Sequence, residues 1–93
     1  TDLGLDFINK LTPVSFKWNE IKEHDKTYYG LIAQEVIKTF NDFNLDENEY
    51  SLINYDEKLD KYGLDYTQLI SPLIKSIQEL NQQIIELKEK LTS

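Results

Sequence analysis

The last third of the chain carries an unbroken heptad repeat. Ile70, Leu73, Ile77, Leu80, Ile84, Leu87 and Leu91 follow one another at gaps of 3, 4, 3, 4, 3 and 4. Ile70, Ile77, Ile84 and Leu91 occupy a, Leu73, Leu80 and Leu87 occupy d, and Tyr66 extends the pattern one step towards the N-terminus. Apolar residues at these intervals share one stripe of a helix. From Tyr66 to Leu91 such a helix spans roughly 39 Å at 1.5 Å per residue. An amphipathic helix can lie back on its own domain. The roughly 65 residues before it, however, form too small a head to cover that length. The stripe is therefore expected to meet another copy of the chain. Isoleucine at a with leucine at d favours parallel dimers in simple coiled coils. Leu69 at g and Ile74 at e widen the apolar face near the head, as a trimer would use.

Composition narrows the function classes. A chain of 93 residues is one domain, or one small head with a stalk. It has no cysteine, which excludes disulfides and thiolate metal sites. No apolar run approaches the length of a membrane span. The net charge is −7 and all ten basic residues are lysine, a balance that argues against nucleic acid, where arginine forks do much of the work. Eight of the 17 acidic residues lie between Asp42 and Asp65 and are expected to form a solvated face. The opening Thr1-Asp2-Leu3-Gly4 lacks the basic and apolar regions of a signal peptide and an initiator methionine. The chain is expected to be a fragment or a processed product.

The head reads as alternating short elements. Leu5 to Lys10 suggest a short helix, stopped by Thr12-Pro13. Val14, Phe16 and Trp18 alternate with Ser15 and Lys17, predicting a half-buried strand. Asn19 to Lys26 is a polar loop with the sole histidine, and Thr27 to Leu31 reads as the partner strand of a hairpin. Gly30 allows a turn into a helix at Ala33 to Phe40, in which Ile32, Val36, Ile37 and Phe40 share a face. Asn41 to Glu49 reads as loop. Tyr50 to Tyr55 predicts a strand paired with Tyr62-Gly63-Leu64 across an Asp56–Lys61 turn. Asp65 is a candidate N-cap for the long helix. Pro72 predicts a kink after its first turn, or a fresh start with Ser71 as cap; the kink is the preferred reading.

Candidate chemistry is sparse. Asp42, Asn44 and Asp46 match the start of a calcium loop, but Glu47 stands where that loop needs glycine and Ile53 where it needs glutamate. His24 stands alone in a charged loop and reads as a surface residue. Ser15, Ser51, Ser71, Ser76 and Ser93 lie outside any nucleophile elbow. Asp6, Glu35 and Asp65 form no evident pair, and three glycines make no phosphate loop. Neither a cofactor nor a metal is expected. The aromatics (Phe7, Phe16, Trp18, Tyr28, Tyr29, Phe40, Phe43, Tyr50, Tyr55, Tyr62 and Tyr66) are read first as core and hairpin packing, and second as a subunit interface.

Three blocks occur in order: Pro13-Val14-Ser15-Phe16-Lys17-Trp18, then Tyr29-Gly30-Leu31-Ile32-Ala33-Gln34-Glu35-Val36, then Asp65-Tyr66 running into Leu69-Ile70-Ser71-Pro72-Leu73-Ile74-Lys75-Ser76-Ile77-Gln78-Glu79-Leu80. With these blocks the chain resembles the C-terminal intramolecular chaperone domain of phage tail spikes and fibres, also called the peptidase S74 domain. Endosialidase tail spikes and the eukaryotic myelin regulatory factor carry relatives. The Gly-Leu-Ile-Ala-Gln-Glu-Val block is the most specific.

The resemblance implies an α+β fold: a small head of β-hairpins and short helices at 1–65, then a C-terminal helix at 66–93 in a parallel trimeric coiled coil. It implies a homotrimer that holds the upstream fibre or spike chains in register while they fold. It places the chain in a viral tail precursor made in the host cytoplasm and released by self-cleavage. Ile70, Leu73, Ile77, Leu80, Ile84, Leu87 and Leu91 are the expected trimer seam. Phe16, Trp18, Tyr28, Tyr29, Gln34, Glu35 and Tyr66 are the expected head interface or core. The family cuts itself with a Ser–Lys dyad in a Ser-Asp-x-x-x-Lys-like stretch upstream of the first helix. Here Thr1 to Gly4 contain neither residue, so no catalytic residue is carried over and the chain as given is expected to be proteolytically inert. Two other readings stay open. One is an autoprotease whose active residues lie further upstream; the other is a general interaction module that orders on a partner's helix.

Overall fold

A computed structural model describes residues 2–17 and 26–92. Trp18, His24 and the Asn19–Asp25 part of the expected loop lie outside the described residues, as do Thr1 and Ser93. The fold is α+β: two separate antiparallel hairpins and two short helices, followed by one long helix.

Helix α1 (Leu5–Lys10) forms where expected and buries Leu5 and Phe7. It stops before Pro13, which biases its predecessor away from helical geometry. Strands β1 (Val14–Lys17) and β2 (Thr27–Gly30) pair with Phe16 opposite Tyr28 and Val14 opposite Gly30. The first strand was expected to be half-buried. Instead only Val14 is partly covered, and Ser15, Phe16 and Lys17 are exposed.

Helix α2 (Ala33–Asp42) runs two residues beyond the expected end. Its periodicity puts Val36, Thr39 and Phe40 in the core, while Ile32 remains exposed. The stop is a Schellman motif: the Leu45 N–H donates to the Phe40 carbonyl at 2.8 Å and the Asn44 N–H to that of Asn41 at 3.0 Å. Asn44 takes the left-handed conformation at φ 58°, which asparagine tolerates. Asp46 then caps a 3₁₀ turn (Glu47–Glu49), its carboxylate accepting the Asn48 N–H at 3.0 Å. The alternating Asp42, Asn44 and Asp46 are thus helix-end chemistry.

Strand β3 (Ile53–Asp56) starts three residues later than expected and pairs with β4 (Lys61–Leu64). Tyr50 is drawn off the strand by its ring contact with Phe40, at 4.9 Å between centroids, and Leu52 is buried. The turn between the strands is held by Asp56, whose carboxylate accepts the N–H groups of Lys58 and Leu59. Asp65 follows, its N–H donating to the Leu52 carbonyl at 2.8 Å.

Asp65 caps a 3₁₀ turn (Tyr66–Leu69) rather than the long helix itself. Helix α3 (Ile70–Thr92) follows directly. Pro72 therefore falls in the first α-helical turn, where an N–H has no partner within the helix. The expected kink is replaced by a 3₁₀ entry.

The core gathers Leu3, Phe7, Val36, Phe40, Leu52 and Leu69, with Phe43, Leu45 and Tyr50 packed against it. Phe7 meets Phe40 at 4.9 Å and Phe43 at 5.9 Å. The molecule measures 58 × 34 × 19 Å with a radius of gyration of 17.2 Å, against about 12 Å for a compact domain of this length. The difference is the free end of α3.

Candidate functional site

One side of α3 belongs to the head. Pro72 and Ser76 are buried on it, as is Leu69 just before its first turn, and the Ser76 hydroxyl donates to the Pro72 carbonyl at 2.7 Å. Further along, the Glu79 carboxylate accepts the Leu5 N–H at 3.3 Å and so caps the start of α1. A Cβ at Gly4 would overlap that carboxylate, so glycine leaves room for the contact. Leu69, expected to widen the seam at g, is 7% exposed and sits in the head core. The g and c positions of the first heptads face α1, which leaves Ile74 at e as the apolar widening.

The a and d side faces away. Ile70, Leu73, Ile77, Leu80, Ile84, Leu87 and Leu91 are all exposed, from 44% at Leu73 and Leu80 to 78% at Leu91. Every residue from Leu80 to Thr92 is exposed. Those last turns are exposed throughout, and a helix of about a dozen residues is marginal by itself in water. The seven side chains present on the order of 800 Å² per chain, one partner's share of a standard protein interface.

The top of the seam runs into the β1–β2 hairpin. Tyr66, one heptad before Leu73, is 48% exposed. Its hydroxyl accepts the Leu31 N–H at 3.1 Å. It also lies over Gly30, where an added Cβ would come within 2.8 Å of the Tyr66 oxygen. Gly30 was expected to permit a turn. No glycine among the described residues has a positive φ, so at Gly30 the requirement is close approach. Phe16 and Tyr28 share that hairpin face and stack at 5.7 Å with 20° between planes. They are 41% and 38% exposed.

The expected head residues thus divide. Phe16, Tyr28 and Tyr66 come together at the seam's upper end. Tyr29 lies on the opposite hairpin face, 83% exposed. Gln34 and Glu35 sit in the exposed first turn of α2. The Gly4–Glu79 and Gly30–Tyr66 contacts were not legible beforehand. Their only signal is two of the chain's three glycines, each facing a long polar side chain far away in sequence.

The chemistry of the remaining surface is limited. A cavity of about 270 Å³ between α1 and α3 is lined by Asp2, Asp6, Lys75 and Glu79 among apolar residues, without a serine. No cluster of three or more metal-ligating side chains occurs among the described residues. No helix of the described chain is long and apolar enough to cross a membrane. Tyr50 donates to Asp2 at 2.9 Å, and that hydrogen bond pushes its phenol above the ordinary value. Tyr55 is raised in the same way by its hydrogen bond to Asp60.

Residues 1–45 match the model of the Peptidase S74 family, described as Chaperone of endosialidase. The matched segment covers α1, the β1–β2 hairpin and α2 and ends before α3. Neither the curated proteins nor the solved structures contain a significant match to the chain.

Proposed function

We propose that this chain, whose residues 1–45 belong to the chaperone-of-endosialidase family, is an intramolecular chaperone that works by trimerisation. Family membership supports the chaperone role. The observation that carries the mechanism is the exposure of all seven a and d side chains on α3. In a parallel trimer the three seams bury one another, and three heads are brought to the same end of a stalk. Each head then carries its N-terminal strand of chain at a common height. Upstream tail-spike or fibre segments would enter folding already in register, which removes the slow search for matching strands between chains. The division into a head at 1–65 and a stalk at 66–93 is part of this proposal.

Release by self-cleavage is the further step that the resemblance implies, and it would follow folding of the upstream segments. Once three upstream chains have folded around one another, removal of the chaperone leaves them trapped by a high unfolding barrier.

The test is sedimentation equilibrium across a hundredfold concentration range, paired with a fusion to a natural upstream fibre segment. A mass of three chains is expected, with Ile77→Asp plus Ile84→Asp giving monomers and an insoluble fusion. A soluble native fibre from that double variant would refute the proposal.

A further inference from the structure

We infer that Glu79 carries the state of the stalk to the N-terminal edge of the head: the first turn of α1 is fixed only when α3 is held helical by assembly with other copies. This rests on the trimeric reading above and adds to it a device that makes order at that edge conditional on assembly.

Three observations support it. The first is the cap. Helix α1 begins after Gly4, which has no side chain to cap it, and no side-chain cap is made from that position. The first N–H groups of a helix have no partner inside it. The Leu5 N–H is taken instead by the Glu79 carboxylate at 3.3 Å, across 74 positions of sequence. Glycine at position 4 lets that carboxylate approach, since a Cβ there would overlap Glu79 Oε1. The second is the place of Glu79 on α3. Pro72 and Ser76 are buried, Lys75 and Glu79 are half-buried, and Glu79 is the last residue of α3 that is not exposed. It occupies c, between Ile77 at a and Leu80 at d, so seam residues lie on either side of it. The third is stability. Every residue from Leu80 to Thr92 is exposed, and a helix of that length is marginal by itself. Fraying of that end in a lone chain leaves Glu79 in the last ordered turn, where its side chain is no longer held over Leu5. Seams that bury one another suppress the fraying. Leu3 in the core and the Tyr50 hydroxyl on Asp2 keep the edge docked in either state, so what assembly adds is the start of α1. In a trimer three such edges become alike once three stalks are present, and that is the geometry from which upstream chains would set out.

The experiment follows amide exchange of Leu5 by NMR. It is expressed relative to Leu45, whose N–H donates to the Phe40 carbonyl within the head. The wild-type chain is compared with Ile84→Asp plus Leu87→Asp, two exposed seam positions beyond Glu79, and sedimentation equilibrium gives the mass of each. A trimer is expected for the wild type and a monomer for the variant, with relative exchange at Leu5 about fivefold faster in the monomer, the factor that a helix cap of ordinary strength contributes. Glu79→Ala and, separately, Gly4→Ala should keep the trimeric mass and show the fast value already in the trimer, and adding the two stalk substitutions to either should raise it no further. Equal relative exchange in wild-type trimer and variant monomer would overturn the inference and leave the trimeric reading standing. A Glu79→Ala chain that still slows at Leu5 on assembly would do the same. A wild-type chain that is monomeric throughout would overturn both, and a variant that stays trimeric would refute the seam on which both rest.

Discussion

Gly30→Ala is the sharpest probe of how the head is joined to the long helix. The new methyl group would stand 2.8 Å from the Tyr66 hydroxyl oxygen, closer than carbon and oxygen tolerate, while Phe16 Cε1 and Tyr66 Cζ lie at an ordinary 3.7 Å. Tyr66 cannot swing freely, because its ring is rigid and Leu69 anchors the same turn in the core. The phenol must move by several tenths of an ångström and lengthen its hydrogen bond from the Leu31 N–H. That bond is exposed, so its loss costs about 0.5–1 kcal/mol. Steric strain adds a similar amount, and the lower entropy of the unfolded alanine chain offsets about 0.4–1 kcal/mol. The net expectation is about 1 kcal/mol of destabilisation, or roughly 4–8 °C in Tm for a domain of this size. Tyr66→Phe removes both the hydrogen bond and the obstructing atom. In that background Gly30→Ala should cost nothing or stabilise slightly. Thermal and urea unfolding of all four proteins, at one fixed concentration because the proposed assembly would contribute to stability, yields the coupling energy. A value near 1 kcal/mol is expected. Additivity within about 0.3 kcal/mol would refute the steric reasoning.

Three further outcomes follow from the same geometry. Leu69→Ala should cost about 2–4 kcal/mol at every protein concentration, because it opens the head core, whereas Leu73→Ala, four residues on, should weaken assembly more than the fold of each chain; unfolding followed across a concentration series tells the two apart. Glu79→Ala should cost about 1 kcal/mol through loss of the cap on α1, with Glu79→Gln retaining part of it, and amide exchange at Leu5 should rise in step. At alkaline pH the raised phenols of Tyr50 and Tyr55 set the sign. Their contribution is fully present below the ordinary tyrosine pKa of about 10 and is lost as pH rises through the higher folded values. Denaturant midpoints should therefore fall above pH 10, and the fall should shrink in a Tyr50→Phe, Tyr55→Phe double variant.

Wherever one short stretch contains all the forces that decide its form, the structure was legible beforehand. Helix α1 ends ahead of Thr12-Pro13, and the two hairpins pair as their alternation and turn residues imply. The heptads produce one long helix because a 3.5-residue apolar period suits no other local structure. Asp65 was rightly seen as a cap, though of a 3₁₀ turn, because Pro72 can be accommodated once the α-helix starts at Ile70. Strand β1 (Val14–Lys17) looked half-buried because alternation reveals which side chains share a face, not whether anything lies beneath that face.

Tertiary structure alone settled which side of each element is used. The heptad pattern cannot say that Leu69 enters the core while Ile70, its neighbour, stays 56% exposed; that follows from α1 taking the g and c side of α3. Nor does a glycine announce its partner. Gly4 meets Glu79 and Gly30 meets Tyr66 across separations of 75 and 36 residues, and such contacts exist only once the chain has closed on itself. Periodicity is a property of consecutive residues and survives in the sequence. Proximity between distant ones is created by packing, and it is packing that turns α3 so that one stripe holds the head and the other stays exposed.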